Sequence, residues 1–103
     1  MMKSIEIFYD YKDIPGVDPS QDFPPGALDF RNAAMELIEA ALEAESLGEW
    51  VGAEIGAGEV NFGFDVEDYD AAEVAVRRAV KGTPYEKIRE IERRAFDPSD
   101  FED

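Results

Sequence analysis

The sequence predicts a single α+β domain built as a two-layer sandwich, in which an antiparallel sheet carries two helices on one face. Three observations lead to this prediction. Apolar residues alternate in some segments, they recur at helical spacing in others, and glycine or proline separates the segments. A chain of 103 residues with 45% hydrophobic residues can bury one core. We place the domain at residues 1–96 and assign residues 97–103, which hold four acids and one proline, to an acidic C-terminal tail.

The first strand is predicted over residues 4–11, where Ile5, Ile7 and Tyr9 share one side. Their spacing of two is typical of a strand with one buried face.

A long loop follows, because residues 12–26 contain four prolines and two glycines and so form neither a helix nor a central strand. Loops of this length are often functional, which makes Asp18, Asp22 and Phe23 candidates for contact with a partner. We favour the interpretation that the loop wraps the edge of the domain and buries Phe23, and a functional loop is the alternative.

An amphipathic helix is predicted over residues 27–47, since apolar residues recur there at helical spacing and glutamates lie mostly off that stripe. We expect Gly48 to end this helix in a left-handed conformation.

A β-hairpin and a second helix come next. Residues 50–55 and 59–66 flank a Gly-Ala-Gly turn and predict the hairpin. Asp70 and Glu73 then form a capping box, and Gly82 closes the short helix that follows.

The last element is open to two interpretations. Residues 83–86, Thr-Pro-Tyr-Glu, have the residue types of a helix start. The preceding order of strand, helix, hairpin and helix instead favours one more strand, which we predict over residues 87–96. The alternative is a helical last element and a three-stranded sheet.

With a final strand, the order strand-helix-strand-strand-helix-strand resembles the ferredoxin-like superfold over nearly the whole chain. The superfold hosts many unrelated functions, so the resemblance implies the fold alone. Metal chaperones of this shape need a cysteine pair, which this sequence lacks, and RNA-binding versions need exposed aromatics in a basic setting.

Composition excludes several classes of function. Twenty-five acidic against ten basic residues give a net charge of -15, which opposes binding to nucleic acid or to anionic membranes and favours basic partners. With no histidine, no cysteine and no catalytic motif, we expect a protein that is not an enzyme and has no cofactor. Residues 65–70 hold four carboxylates but fail the EF-hand pattern, so we expect no metal site. Lys3 and Glu6 interrupt any N-terminal apolar run, and we expect a cytoplasmic protein without a membrane segment.

One face of the predicted sheet lies away from the helices and combines two aromatic residues with carboxylates. It would be either an ordinary solvated face or a surface that binds a basic protein, with aromatic anchors and acidic steering. Its candidate residues are Glu6, Phe8, Asp10, Trp50, Glu54 and Asp65.

Basic residues are concentrated late in the chain, since seven of the ten lie between Arg77 and Arg94. With the last strand beside the first, they would pair with Glu6 and Asp10. The alternative is a basic patch that binds the acidic helix of another copy.

Charge leads us to expect a small protein-interaction module that binds a basic partner, for example an inhibitor or immunity-type protein. The alternative is a dimeric regulatory domain that binds a small molecule. The first would be a monomer or a homodimer, whereas the second requires a dimer.

Overall fold

The computed structural model describes residues 2–96, and the predicted acidic tail lies outside this range. Two α-helices and four β-strands alternate along the chain, with a short 3-10 turn at Tyr11–Asp13. The elements are β1 (Met2–Asp10), α1 (Ala27–Ala44), β2 (Gly48–Gly56), β3 (Glu59–Val66), α2 (Tyr69–Val80) and β4 (Glu90–Phe96).

The strands form one four-stranded antiparallel sheet in the order β2-β3-β1-β4. β1 is central and pairs with β3 on one side and with β4 on the other. The predicted α+β class with a final strand is confirmed, and the alternative of a helical last element with a three-stranded sheet is wrong.

The helix-start residues before β4 form a turn. The Thr83 hydroxyl accepts a hydrogen bond from the Tyr85 amide at 3.1 Å, and the Glu86 carboxylate accepts one from the Gly82 amide at 2.9 Å. These bonds resemble those of a capping box, but no helical turn follows them. Pairing of β4 along β1 outweighs the local preference for helix.

One hydrophobic core lies between the helices and one face of the sheet. Ile5, Ile7 and Tyr9 of β1 are fully buried there, together with residues of both helices. Burial of these side chains stabilises the fold, at about 1.5–3 kcal/mol for each large apolar residue. The other members with no exposed surface are Ala27, Ala34, Ile38, Leu42, Val60, Phe62, Phe64, Ala72 and Val76.

Two predicted helix boundaries are corrected. α1 ends at Ala44, and the left-handed residue after it is Ser46 with φ of 54°, while Gly48 begins β2. Alanine at Gly48 would place its Cβ 2.8 Å from the carbonyl oxygen of Asp65, so this glycine permits close approach of two strands.

The start of α2 also differs from the prediction. α2 is capped by Asp68, whose side chain accepts a hydrogen bond from the Ala71 amide, and not by Asp70.

The proline-rich loop is held to the domain by Tyr11. Its amide donates to the Gly58 carbonyl at 2.9 Å, and its hydroxyl donates to the Asp22 carbonyl at 2.8 Å. The prediction that Phe23 is buried is wrong, because 70% of its surface is exposed. Pro24 is buried in its place.

Candidate functional site

The sheet face opposite the helices is lined mainly by charged side chains. Residues that pair across neighbouring strands point to the same face, so the register identifies the members of this open face. Glycines at positions 52 and 63 pair with each other on this face. Its charged residues are Glu6, Asp10, Glu49, Glu54, Glu59, Asp65, Glu90, Glu92 and Arg94.

Glu6 lies at the centre of the open face. It pairs with Gly63, and a Cβ at Gly63 would lie 2.7 Å from the Glu6 carboxylate, so this carboxylate covers the glycine. Nη1 of Arg94 lies 3.6 Å from Oε1 of Glu6. Partial burial has the largest effect on the pKa of the Glu6 carboxyl and raises it. The positive charge of Arg94 lowers this pKa, and the negative charges of Glu54 and Glu92 raise it. The net pKa lies above the ordinary value of a glutamate.

Phe8 and Asp10 are both engaged by Arg89, the residue just before β4. The guanidinium lies over the Phe8 ring, 5.1 Å from its centroid, and Nη1 contacts the Asp10 carboxylate at 2.7 Å. Only 9% of Phe8 is exposed, so it cannot serve as an exposed anchor. The hydrogen bonds and charges of Asp10 and its neighbours raise the pKa of Arg89, which stays a cation.

Trp50 does not lie on the open face. Strict alternation places it there with Glu54, but the register shifts between Trp50 and Gly52, so that Trp50 pairs with Phe64 while Glu54 pairs with Asn61. This β-bulge holds one extra residue, Val51, and turns Trp50 to the other side of the sheet. Trp50 is 45% exposed and Val51 is 50% exposed.

A subset of the acids stays without a cationic partner. Within residues 2–96, no salt bridge reaches Glu49, Glu54 or Asp65, whereas Glu6, Asp10 and Glu59 each contact an arginine. Glu49 and Asp65 pair across β2 and β3. Two of the unpaired acids lie on β2 and the third, Asp65, lies on β3 opposite Glu49. We call the following set the β2 edge surface: Glu49, Glu54 and Asp65 on the open face, with the exposed Trp50 on the other side of β2 and Val51 at the bulge.

Of the six residues predicted for the open face, the structure brings Trp50, Glu54 and Asp65 to the β2 edge surface. Sequence reasoning missed Glu49 and Val51. A glycine inside a strand often marks a bulge, so Gly52 was the signal that could have located the change of face.

A surface cavity of about 530 Å³ lies at the start of β2. Glu43, Glu49, Asp65 and Glu67 line it beside one cation, Lys3, which bonds to the Glu67 carbonyl at 3.4 Å. The cavity continues the acidic character of the β2 edge surface. In the part of the chain that the structure describes, no group of three or more carboxylates has an arrangement that could hold a metal ion.

The loop candidates have structural contacts of their own. The Asp18 carboxylate accepts hydrogen bonds from the Ser20 amide and hydroxyl at 2.9 and 2.7 Å, and these lower its pKa. Asp22 contributes its backbone carbonyl to Tyr11. Phe23 projects into solvent. The Tyr11–Gly58 bond holds this loop near the hairpin turn, at the far end of β2 from Glu49.

The basic residues near β4 neutralise carboxylates within the chain, as one of the two interpretations predicted. Arg89 and Arg94 pair with Asp10 and Glu6, and Arg93 pairs with Asp70 and Glu73 of α2. The hydrogen bonds that Arg93 donates to these two carboxylates raise the pKa of Arg93. A smaller basic area stays exposed on α2, formed by Arg77, Arg78 and Lys81 around Val74.

Comparison of the chain with protein-family models found no match, and neither curated proteins nor solved structures gave one. Neither helix within residues 2–96 is long and apolar enough to cross a membrane. The geometry and charge of the β2 edge surface are therefore the basis for a function.

Proposed function

We propose that this protein is a small, non-enzymatic interaction module that binds a basic protein through the β2 edge surface, in the manner of an inhibitor or immunity-type protein. One observation carries the proposal: the sheet acids without an arginine partner in the described chain lie at the edge strand β2 and its neighbour β3, and the same edge strand exposes a tryptophan on its other side.

The residue types of this surface suit such a role. Tryptophan supplies a large, rigid contact area and is enriched among the residues that dominate binding energy. Unpaired carboxylates on the opposite side of the same strand edge attract a cationic partner and discriminate against acidic ones. Glu6, Asp10 and Glu59 are already engaged by arginines, so they contribute less to recognition.

We infer a ferredoxin-like class for the domain. The alternation βαββαβ and the strand order β2-β3-β1-β4 support this inference, as does the single core that includes both helices. The class implies no particular activity.

The test is affinity capture with the tagged protein from extract of the cells that make it, with washes of increasing salt. One variant carries Glu49→Gln, Glu54→Gln and Asp65→Asn. A matched control carries Glu36→Gln, Glu39→Gln and Glu45→Gln on and just after α1, which removes the same amount of charge from the other layer. Exposed charges are screened within about 8 Å at physiological salt, so binding should weaken as salt rises.

The proposal predicts that the wild type and the α1 control retain the same basic protein, and that the β2 variant loses it. Equal loss of the partner in both variants would show that the net charge of the protein, and not the β2 edge surface, determines binding. Capture of nothing, or of a protein that high salt does not release, would overturn the proposal.

A further inference from the structure

We infer that the basic partner binds as an added β-strand, with an extended segment of alternating basic and apolar residues placed beside β2. This inference rests on the proposed function and specifies its mode. A strand at the edge of a sheet offers unpaired backbone amides and carbonyls, and addition of a peptide strand uses them.

β2 is one of the two edges of the sheet, since it pairs only with β3 in the described chain. The other edge, β4, has its charges matched: Glu90 contacts Arg89 and Glu92 contacts Arg94. β2 differs because Glu49 and Glu54 have no salt-bridge partner within residues 2–96. A basic strand would therefore gain more electrostatic stabilisation beside β2 than beside β4.

Charge also determines which strand fits. A second copy of this chain would bring another Glu49 and Glu54 against the same edge, and like charges at close cross-strand distance are destabilising. A strand with lysine or arginine on its open-face side would instead place these side chains beside Glu54, or beside Glu49 and Asp65. The occupant is therefore a basic segment and not another β2.

The bulge divides the free edge into two parts, residues 48–50 and residues 52–56. In the longer part, Glu54 faces the open side while Ala53 and Ile55 face the core side and are only partly buried. A partner strand with alternate cationic and apolar residues matches this pattern, because side chains alternate between the two faces of a strand. Trp50 continues the apolar side beyond the bulge.

The test uses a capped nine-residue peptide in which lysine alternates with valine or threonine. Two modified versions carry N-methyl groups on every second amide, one on the odd residues and one on the even residues. N-methylation removes donors from one edge of the peptide strand and leaves its charge unchanged. Trp50 is the only tryptophan of the chain, so its fluorescence reports binding directly.

Strand addition predicts that the parent peptide and one methylated version bind, and that the other version binds at least about tenfold more weakly. Hydrogen exchange should slow at β2 amides when the parent peptide is bound. Glu54→Gln should weaken binding about two- to fivefold, as expected for one exposed charge pair.

Equal binding of all three peptides, lost at high salt, would overturn strand addition and leave the acidic surface as the recognition element. No binding by any of them would overturn strand addition for this pattern. The capture experiment with full-length partners would still decide the proposed function separately.

Discussion

Replacing Gly48 with alanine should destabilise the protein, because the new Cβ would collide with the backbone of the neighbouring strand. It would lie 2.8 Å from the Asp65 carbonyl oxygen and 3.0 Å from Cγ1 of Val66. A backbone carbonyl in a paired strand cannot move away alone, so β2 and β3 must separate locally. Overpacking of this kind costs about 1–3 kcal/mol.

Gly52→Ala is the matched control in the same strand. Nothing lies within 4 Å of a Cβ at Gly52, and no positive φ is required there. The alanine should therefore be neutral or stabilise by about 0.4–1 kcal/mol, because it restricts the unfolded chain. At 4–8 °C for each kcal/mol, as is usual for small domains, the melting temperatures of the two variants should differ by at least about 4 °C.

Thermal unfolding followed by circular dichroism measures this difference. A third variant, Gly63→Ala, gives an intermediate case, since its Cβ meets the end of the flexible Glu6 side chain at 2.7 Å and that side chain can rotate away. If Gly48→Ala and Gly52→Ala have the same melting temperature, the close approach of β2 and β3 at Gly48 is refuted. If Gly63→Ala is the least stable variant, it is wrong that a Cβ against a flexible side chain costs less than a Cβ against a backbone carbonyl.

Three other perturbations test the packing and charge of the fold. Partial burial raises the pKa of Glu6 in the folded protein above its ordinary value of 4.5. Glu6 therefore contributes to stability below about pH 4.5, and this contribution is lost as the pH rises through the raised pKa. Glu6→Gln should raise the melting temperature at pH 7 but not at pH 4, and equal effects at both pH values would contradict this reasoning. Tyr9→Phe should lower the free energy of unfolding, measured in urea, by about 1–3 kcal/mol. The reason is that the Tyr85 carbonyl loses the 2.6 Å hydrogen bond that the buried Tyr9 hydroxyl donates. A change near zero would contradict this role of the hydrogen bond. Tyr11→Phe should speed amide hydrogen exchange in the loop around Asp22, because it frees the Asp22 carbonyl to which the Tyr11 hydroxyl donates at 2.8 Å. An unchanged exchange rate would show that another contact holds the loop.

Much of the fold was predictable from sequence because each strand or helix has a clear period and clear ends. Ile5, Ile7 and Tyr9 have the spacing of a half-buried strand, and they are buried. The last strand required an argument from architecture, because its own residues favour helix locally. The N-cap was misplaced by two residues, since Asp68 and Asp70 are equally suitable by residue type and only Asp68 bonds to the helix.

The site was less predictable, because it depends on which charges meet across strands. Glu6 and Asp10 were expected to pair with basic residues of the last strand region, and Arg94 and Arg89 do contact them. Strict alternation failed at Trp50, because a bulge shifts the register by one residue there, and only Gly52 in the sequence pointed to it. The exposure of Phe23 depends on how the loop folds back, which its prolines do not determine.

The position of the arginines explains why the acidic surface lies at β2. Arg89 contacts Asp10, Glu59 and Glu90, and Arg94 contacts Glu6 and Glu92. These two cations therefore neutralise acids of β1 and β4 and, at the start of β3, Glu59, but within residues 2–96 they form no salt bridge to β2. β2 lies three strand spacings from β4, about 14 Å, which exceeds the screening length of about 8 Å. Cations on one edge strand therefore leave the opposite edge negative. A basic partner would meet a sheet that attracts it at one edge and is neutralised at the other, and this asymmetry orients it toward Glu49, Trp50 and Glu54.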